Sequence, residues 1–351
     1  MRLYGSRSAL LGAFALTVGA MLAGCSGDNS ASLAAPTLQV VSSRAEHVSG
    51  GTALIDISAA GTGIGASVLS VTVNGTDVSA AFKPDPTQAG HLISVVTQLQ
   101  SGANTVVASN GGATASLTLT SHPISGPIVS GPHQTPFVCQ TANFVMPDGS
   151  FFGTATDADC SAPARVIYMY LPTGATALIA LPSTTALPAN VASTTTVAGA
   201  TVPFVVRIET TTVNRGIYQS AVLHDPTTEA APTPVLPPKG WNRRLVAVEG
   251  FSCAGSGSLQ GGAQGRLANA GIHFSVQFVD RLGQGYAMFA NTLQHASNHC
   301  DVRLASEAVM MSKEYFVKQN GVPALTVSAA RAARMAAPNP PTACPAYSTP
   351  S

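Results

Sequence analysis

The chain has 351 residues, which allows two or three domains and a sizeable buried core. Charged residues make up only 9% of the sequence and the formal net charge is +1, so the chain offers no basic stripe to neutralise phosphates. Nucleic acid is therefore excluded as a partner, and the abundance of Ala, Gly, Ser, Thr and Val is typical of β-rich exported proteins.

The first 25 residues predict export and a lipid anchor. Arg2 and Arg7 precede the apolar run ALLGAFALTVGAML, which is too short to span a bilayer. The run ends in LAGC, which resembles a bacterial lipobox and implies cleavage before Cys25 and acylation of that cysteine. Residues 1–24 are then a signal peptide and 25–36 a tether to the cell envelope, at the periplasmic face or the outer membrane. The alternative is an ordinary signal peptide with a chance cysteine.

Residues 37–121 are predicted to form an immunoglobulin-like β-sandwich. Short runs rich in Val, Ile, Leu and Thr alternate with Asn-Gly, Gly-Gly and Ser-Gly pairs at the spacing of a sandwich. Asn74-Gly75, between two alternating runs, is the strongest hairpin signal. His47 and His91 are isolated in the sequence, so each is interpreted as a surface or strand-edge histidine rather than a metal ligand.

Residues 122–239 are predicted to form a β-rich region that packs on the next domain. The stretch HPISGPIVSGPHQTPFVCQT is spaced by Gly and Pro, so it cannot form a helix and is expected to cross over another domain. Cys139 and Cys160 are expected to form a disulfide in an exported protein. Asp157 and Asp159 favour a solvated turn over a calcium site, and no metal or cofactor is expected. The other polar candidates are His133, Arg207, Glu209, Arg215, His224 and Asp225.

Residues 240–327 are predicted to form a parallel βαβ unit. A strand at 244–249 and a second in GYAMFANT precede the amphipathic helix in DVRLASEAVMMSKEYFVKQNG, and a third strand, PALTV, follows it. Asp301 is the expected N-cap of that helix and Gly321 its C-terminal signal. Cys253 and Cys300 lie after the first strand and before the helix, which indicates a second disulfide across the top of the sheet.

Several long segments resemble known proteins. GWNRRLVAVEGFSC, GYAMFANTLQHASNHCD and YFVKQNGVP resemble the α/β-hydrolase core of exported bacterial enzymes related to tannase and feruloyl esterase. HPISGPIVSGPHQTPFVCQT, DADCSAPARV and VNRGIYQSAVLHDP resemble a lipoprotein family of unknown function with such a core; the resemblance runs from about Val40 to Thr326. It implies a serine ester hydrolase for a small molecule or polymer, without a cofactor. A possible oxyanion loop is formed by Gly250, Phe251 and Ser252.

The motif that should hold the nucleophile is missing. In such hydrolases the strand after this helix leads into Gly-x-Ser-x-Gly, which here should begin at Ser328, but the next serine is Ser348. In a shifted frame, codons from Ser328 onward can encode Gly-Gly-Ser-Gly-Gly and later Pro-Gly-Leu, as in tannase-like hydrolases. The sequence therefore predicts a frameshift near Val327, an out-of-frame disordered tail at 328–351 and a truncated, inactive hydrolase.

Two alternatives remain open at this point. The tail can be a genuine disordered Ala/Arg/Pro segment, and the chain can be a non-enzymatic cell-envelope lipoprotein that binds a glycan or protein through its β modules. The triad acid and histidine follow the serine in chain order in this fold, so both would be missing from this sequence. His273, His295 and His299 precede the missing turn and are expected to be structural.

Overall fold

The computed structural model describes residues 34–59, 69–249, 259–261, 276–294, 298–299 and 301–330. The predictions for Cys25, the loop at residues 250–252, the Cys253–Cys300 pair and the segment from residue 331 onward lie outside these ranges. Among the described helices, none combines the length and the apolar character needed to cross a membrane.

Residues 36–59 and 69–122 form two β-sheets around a shared hydrophobic core, and we call them the two-sheet unit. In spatial order the first sheet contains β1 (Pro36–Val40), β3 (Ala53–Ala59), β7 (Leu92–Val96) and β6 (Lys83–Pro84). The second contains β2 (Val48–Ser49), β9 (Ala113–His122), β8 (Gly102–Asn110), β4 (Leu69–Val73) and β5 (Thr76–Asp77). Alternate residues of β8 are buried, as expected of a strand with one solvated face.

The predicted hairpin at Asn74-Gly75 is present. These two residues join β4 and β5, and their φ angles are 50° and 83°. Positive φ at both central residues is the requirement of the type I′ turn, which asparagine and glycine satisfy.

In the described part of the chain, one seven-stranded sheet organises the remaining residues. From edge to edge it contains β11 (Ile179–Ala180), β10 (Arg165–Tyr170), β14 (Val205–Val213), β15 (Gly216–Leu223), β17 (Ala287–Asn291), β16 (Arg244–Glu249) and β18 (Leu325–Ala330). Neighbours are antiparallel from β11 to β17, whereas β16 is parallel to both β17 and β18. A small separate sheet pairs β12 (Ser193–Thr195) with β13 (Thr201–Pro203).

Two described helices cover opposite faces of this sheet. The helix α1 (Val276–Gly283) packs on Val246 and Val248 of β16, and α2 (Val302–Asn320) belongs to the cluster that contains Leu245 and Ala247. Successive side chains of a strand point to opposite faces, so β16 is buried on both sides. The predicted helix boundaries of α2 are confirmed: Asp301 caps it and Gly321 follows it with φ of 94°.

The structure differs from the predicted division of the chain at residue 240. Strands β10, β14 and β15 precede that position, yet they share one sheet with β16, β17 and β18. The joining contact pairs Tyr218 with Asn291, far apart in sequence. A period of two identifies a strand but not its partner, so the sequence pattern did not reveal this pairing. Strand β18 also extends to Ala330, into the predicted tail, because it pairs with β16 as far as Glu249.

A buried ion pair on α2 connects the two-sheet unit to the rest of the chain. Lys318 Nζ lies 3.3 Å from Glu314 Oε1, and the two side chains are only 4% and 1% exposed. Glu314 Oε2 accepts a hydrogen bond from Ser49 Oγ at 2.5 Å, and Lys318 Nζ donates to the Ser49 carbonyl at 2.8 Å. Burial lowers the pKa of Lys318, and the Glu314 charge opposes that shift.

Replacing Glu314 by Gln is expected to destabilise the protein by roughly 3–5 kcal/mol, because Lys318 is then left as a buried charge without a counter-ion. The matched control is Glu46→Gln. Glu46 faces Arg44 at 4.0 Å with both side chains mostly exposed, so its loss is expected to change stability by less than about 1 kcal/mol. Urea denaturation measures both effects, and equal midpoints for the two variants would contradict the prediction.

Candidate functional site

The best candidate for a functional site lies at the carboxyl edge of the parallel strands. In open sheets with helices on both faces, ligands bind beyond the carboxyl ends of the strands, where the connections diverge. The connections diverge at β16 here, since β17 lies on one side of this strand and β18 on the other. Because β15 runs antiparallel to β17, the hairpin turn before β15 lies at the same edge as Leu293, which follows β17.

A small cleft open to solvent lies at this edge, and we call it the edge cleft. Four parts of the chain line it: the segment 130–137, the turn formed by Asn214 and Arg215, Leu293 after β17, and the start of α2 at Asp301 and Leu304. The first part belongs to the Gly/Pro-spaced stretch that was predicted to cross over another domain. We call residues 123–140 the crossing segment.

Glu307 of α2 fixes the crossing segment in place. This carboxylate is 1% exposed, and its Oε2 accepts hydrogen bonds from the backbone N–H groups of Ile128, Val129 and Ser130. Its Oε1 accepts from Ser130 Oγ at 2.9 Å. Consecutive N–H groups that converge in this way form a concave site for negative charge. The sequence analysis missed Glu307; the available signal was a carboxylate one helical turn from the buried Met311, on the inward face of α2.

Two of the predicted polar candidates meet in the edge cleft. The Arg215 guanidinium lies 3.6 Å above the centre of the Phe137 ring, and its Nε is 3.5 Å from Asp159 Oδ1. His133 Nδ1 lies 3.6 Å from the same carboxylate oxygen. Burial lowers the pKa of His133, and the nearby Arg215 charge lowers it further. The cleft therefore has a permanent cation and an imidazole that favours its neutral form in its lining, and the exposed Asp159 carboxylate lies beside both.

The predicted disulfide brings Asp159 to this cleft. Cys139 of the crossing segment is bonded to Cys160, with Cα atoms 5.2 Å apart, and the bridge closes a sequence separation of 21. A loop of this size restricts the unfolded chain and stabilises the fold by about 3 kcal/mol. Asp157 forms a turn here, since its carboxylate accepts from the Ser161 N–H at 2.9 Å. Among the described residues, no group of three His, Cys, Asp or Glu side chains could hold a metal ion.

The edge cleft does not assemble a serine nucleophile with a base. His133 Nε2 lies 3.1 Å from the Ser125 carbonyl, and only a protonated nitrogen can bond there. The Ser130 hydroxyl donates instead to Glu307. Within the described ranges, the cleft thus offers groups that can bind and orient a ligand but no Ser–His pair for covalent catalysis.

Arg207 and Glu209 lie midway along β14, away from the edge cleft. Arg207 Nη1 donates to Glu209 Oε2 at 2.7 Å, and the Tyr315 hydroxyl donates to Glu209 Oε1 at 2.7 Å. Burial raises the pKa of Tyr315, and the Glu209 charge raises it further. This network attaches α2 to the face of the sheet, which is a structural role.

Three further candidates, His224, Asp225 and His299, make structural contacts, whereas His273 and His295 lie outside the described ranges. His224 Nε2 donates to the Ala230 carbonyl at 2.9 Å, and Asp225 accepts from the Thr227 N–H at 2.9 Å. His299 Nε2 donates to the Leu293 carbonyl. His299 Nδ1 accepts from the Asp301 N–H at 3.1 Å, and burial lowers the pKa of this ring. A neutral imidazole satisfies both contacts, so His299 is not available as a base.

Glu307→Leu is expected to destabilise the protein by at least about 3 kcal/mol, because three backbone N–H groups lose their acceptor. Glu307→Gln retains one carbonyl oxygen for these groups, so we expect a loss of only about 1 kcal/mol. Urea denaturation measures the stabilities, and limited proteolysis should cut the crossing segment first in the Leu variant. A Leu variant as stable and as protease-resistant as the Gln variant would contradict the role of Glu307.

A comparison with protein families agrees with the resemblance seen in the sequence. The model of a tannase-like family of unknown function, domain of unknown function 6351, matches residues 38–334. The matched region thus begins in β1 and extends beyond β18, and it includes both the two-sheet unit and the seven-stranded sheet. No curated protein matches the chain. The chain belongs to the tannase-like family of unknown function.

Proposed function

We propose that the chain derives from exported serine ester hydrolases with an α/β-hydrolase core and that it does not itself hydrolyse esters. The observation that carries the proposal is the arrangement of β17, β16 and β18. These three strands are parallel, and α1 and α2 cover opposite faces of the sheet. A hydrolase core of this type requires such a sheet, with the nucleophile on a turn beyond its carboxyl edge.

The position of β18 supports the second part of the proposal. This strand pairs with β16 up to Ala330, so the chain leaves the sheet at the carboxyl edge. The nucleophilic serine of such a hydrolase stands on the turn immediately after this strand. In this sequence Arg331 follows Ala330, and Gly-x-Ser-x-Gly is not present at this turn. A reading frame shifted near Val327 accounts for the missing motif.

The parental mechanism follows from these positions. A serine on the turn would attack the ester carbonyl and pass its proton to a histidine that a carboxylate orients. Backbone N–H groups in the loop after β16, at Gly250, Phe251 and Ser252, would stabilise the negative charge on the carbonyl oxygen.

The 351-residue chain is expected to hydrolyse p-nitrophenyl acetate no faster than buffer alone. A gene with its frame restored near Val327 is expected to yield an active esterase, and Ser→Ala at the restored turn should lower its kcat by roughly three orders of magnitude or more. Release of p-nitrophenol measures the hydrolysis rate of this chain, of the restored protein and of its Ser→Ala variant. Hydrolysis by the given chain at the rate of the restored protein would show that the nucleophile lies elsewhere.

The same proposal extends to the two-sheet unit and the amino terminus. We interpret the unit as an immunoglobulin-like accessory module, which its shared core and locally paired strands support. We also interpret the protein as a lipoprotein of the cell envelope, and the motif that ends at Cys25 supports that interpretation. The lipid would hold the hydrolase fold at the membrane surface through the tether at 25–36.

Cys25→Ala is expected to abolish lipid attachment and to leave the protein unprocessed or released from the membrane. Mass spectrometry of the mature protein and its partition into a detergent phase measure the change. The matched control is Cys344→Ala, which removes a cysteine that we assign to no disulfide and should leave the lipid in place. A mature wild-type protein whose mass exceeds that of mature Cys25→Ala by no more than one sulfur atom would contradict the lipid anchor.

A further inference from the structure

The turn that carries Arg215 has an unusual residue for its geometry. Val213 pairs with Gly216, and the two residues between them, Asn214 and Arg215, have φ angles of 52° and 63°. A two-residue hairpin turn with positive φ at both positions normally has glycine at the second. An arginine there is disfavoured because its Cβ crowds the backbone, and such strained residues concentrate at binding sites.

The same turn presents buried donors that lack acceptors. Asn214 is 1% exposed and Arg215 is 7% exposed, and both line the edge cleft. Among the described residues, Asn214 Nδ2 and Arg215 Nε have no hydrogen-bond acceptor, and Asp159 lies 3.5 Å from Nε, outside good hydrogen-bond geometry. Buried donors are normally paired, so two unpaired donors at one open cleft indicate a ligand that brings oxygen atoms.

Three carboxylates lie near the cleft, and two of them are already occupied. Glu307 accepts from three backbone N–H groups and one hydroxyl, and Asp301 accepts from the first N–H groups of α2. Asp159 is different, because its side chain is 44% exposed and faces Arg215 and His133 only at 3.5 and 3.6 Å. An incoming anion can therefore displace Asp159 from the guanidinium without breaking a good hydrogen bond.

We propose that the edge cleft binds the carboxylate of a small organic acid. The carboxylate accepts hydrogen bonds from the Arg215 guanidinium and Asn214 Nδ2, in place of Asp159, and an arginine favours planar two-oxygen groups of this kind. Leu293 and Leu304 line the same cleft, so the hydrocarbon part of the acid contacts apolar side chains. The proposal is independent of the esterase ancestry, because binding needs no nucleophile.

The test is a calorimetric titration of the mature chain with benzoate, benzamide and inorganic phosphate. Benzoate is expected to bind saturably in the millimolar range, and benzamide, with the same shape and no charge, roughly tenfold or more weakly. Arg215→Gly should weaken benzoate binding roughly 10- to 100-fold, and glycine suits the positive φ of this position. Asp159→Asn should tighten binding because it removes the competing anion.

A matched control is Arg44→Gly, which removes an exposed arginine far along the chain in the two-sheet unit and should leave benzoate binding unchanged. The proposal is overturned if benzoate does not saturate in the millimolar range, if benzamide binds equally well, or if Arg215→Gly binds as wild type does. Phosphate that binds as tightly as benzoate would overturn the choice of a carboxylate, since the apolar wall would then contribute nothing.

Discussion

Helix α2 carries two carboxylates that water does not reach, and the arrangement of the segments that contact this helix depends on how they are neutralised. Glu314 is paired with Lys318 and with the Ser49 backbone and hydroxyl of the two-sheet unit. Glu307 is surrounded by N–H groups of the crossing segment. A buried charge without a partner is strongly destabilising, so each carboxylate requires its neighbouring segment to take one position. The helix thereby determines where both segments lie on the sheet.

The edge cleft is a consequence of this requirement. One of its walls is the crossing segment, which in the described part of the chain pairs with Leu259 by one isolated bridge at Val138. Glu307 fixes this segment by accepting hydrogen bonds from three consecutive N–H groups. The opposite wall is the turn before β15, which the antiparallel pairing of β14 and β15 fixes. The Cys139–Cys160 bridge then brings Asp159 next to Arg215. The cleft is therefore built from a loop, a hairpin and a helix start that are held by different kinds of interaction.

In this chain the packing of the sheet and its helices does not depend on the turn that carries the nucleophile in a serine hydrolase. The parallel strands, their covering helices and the edge cleft depend on core packing and on the buried groups of α2, and none of these needs the turn that would follow β18. The nucleophile of a serine hydrolase depends on that turn alone. The proposed loss of the serine is thus compatible with a folded sheet, and the proposed binding of a carboxylate in the edge cleft does not depend on hydrolysis.

The sequence by itself determined the features that depend on residues close together in the chain. These are the hairpin at Asn74-Gly75, the ends of α2 at Asp301 and Gly321, and the strands around that helix. Each depends on hydrogen bonds or backbone angles of near neighbours, which residue type specifies locally. Only the tertiary structure decided that strands on both sides of residue 240 share a sheet, and that His133, Asp159 and Arg215 meet in a cleft. These groupings depend on pairings between distant segments and on the burial of Glu307, whose partners are backbone N–H groups. Every residue type except proline carries such a group, so no local pattern in the sequence identifies them.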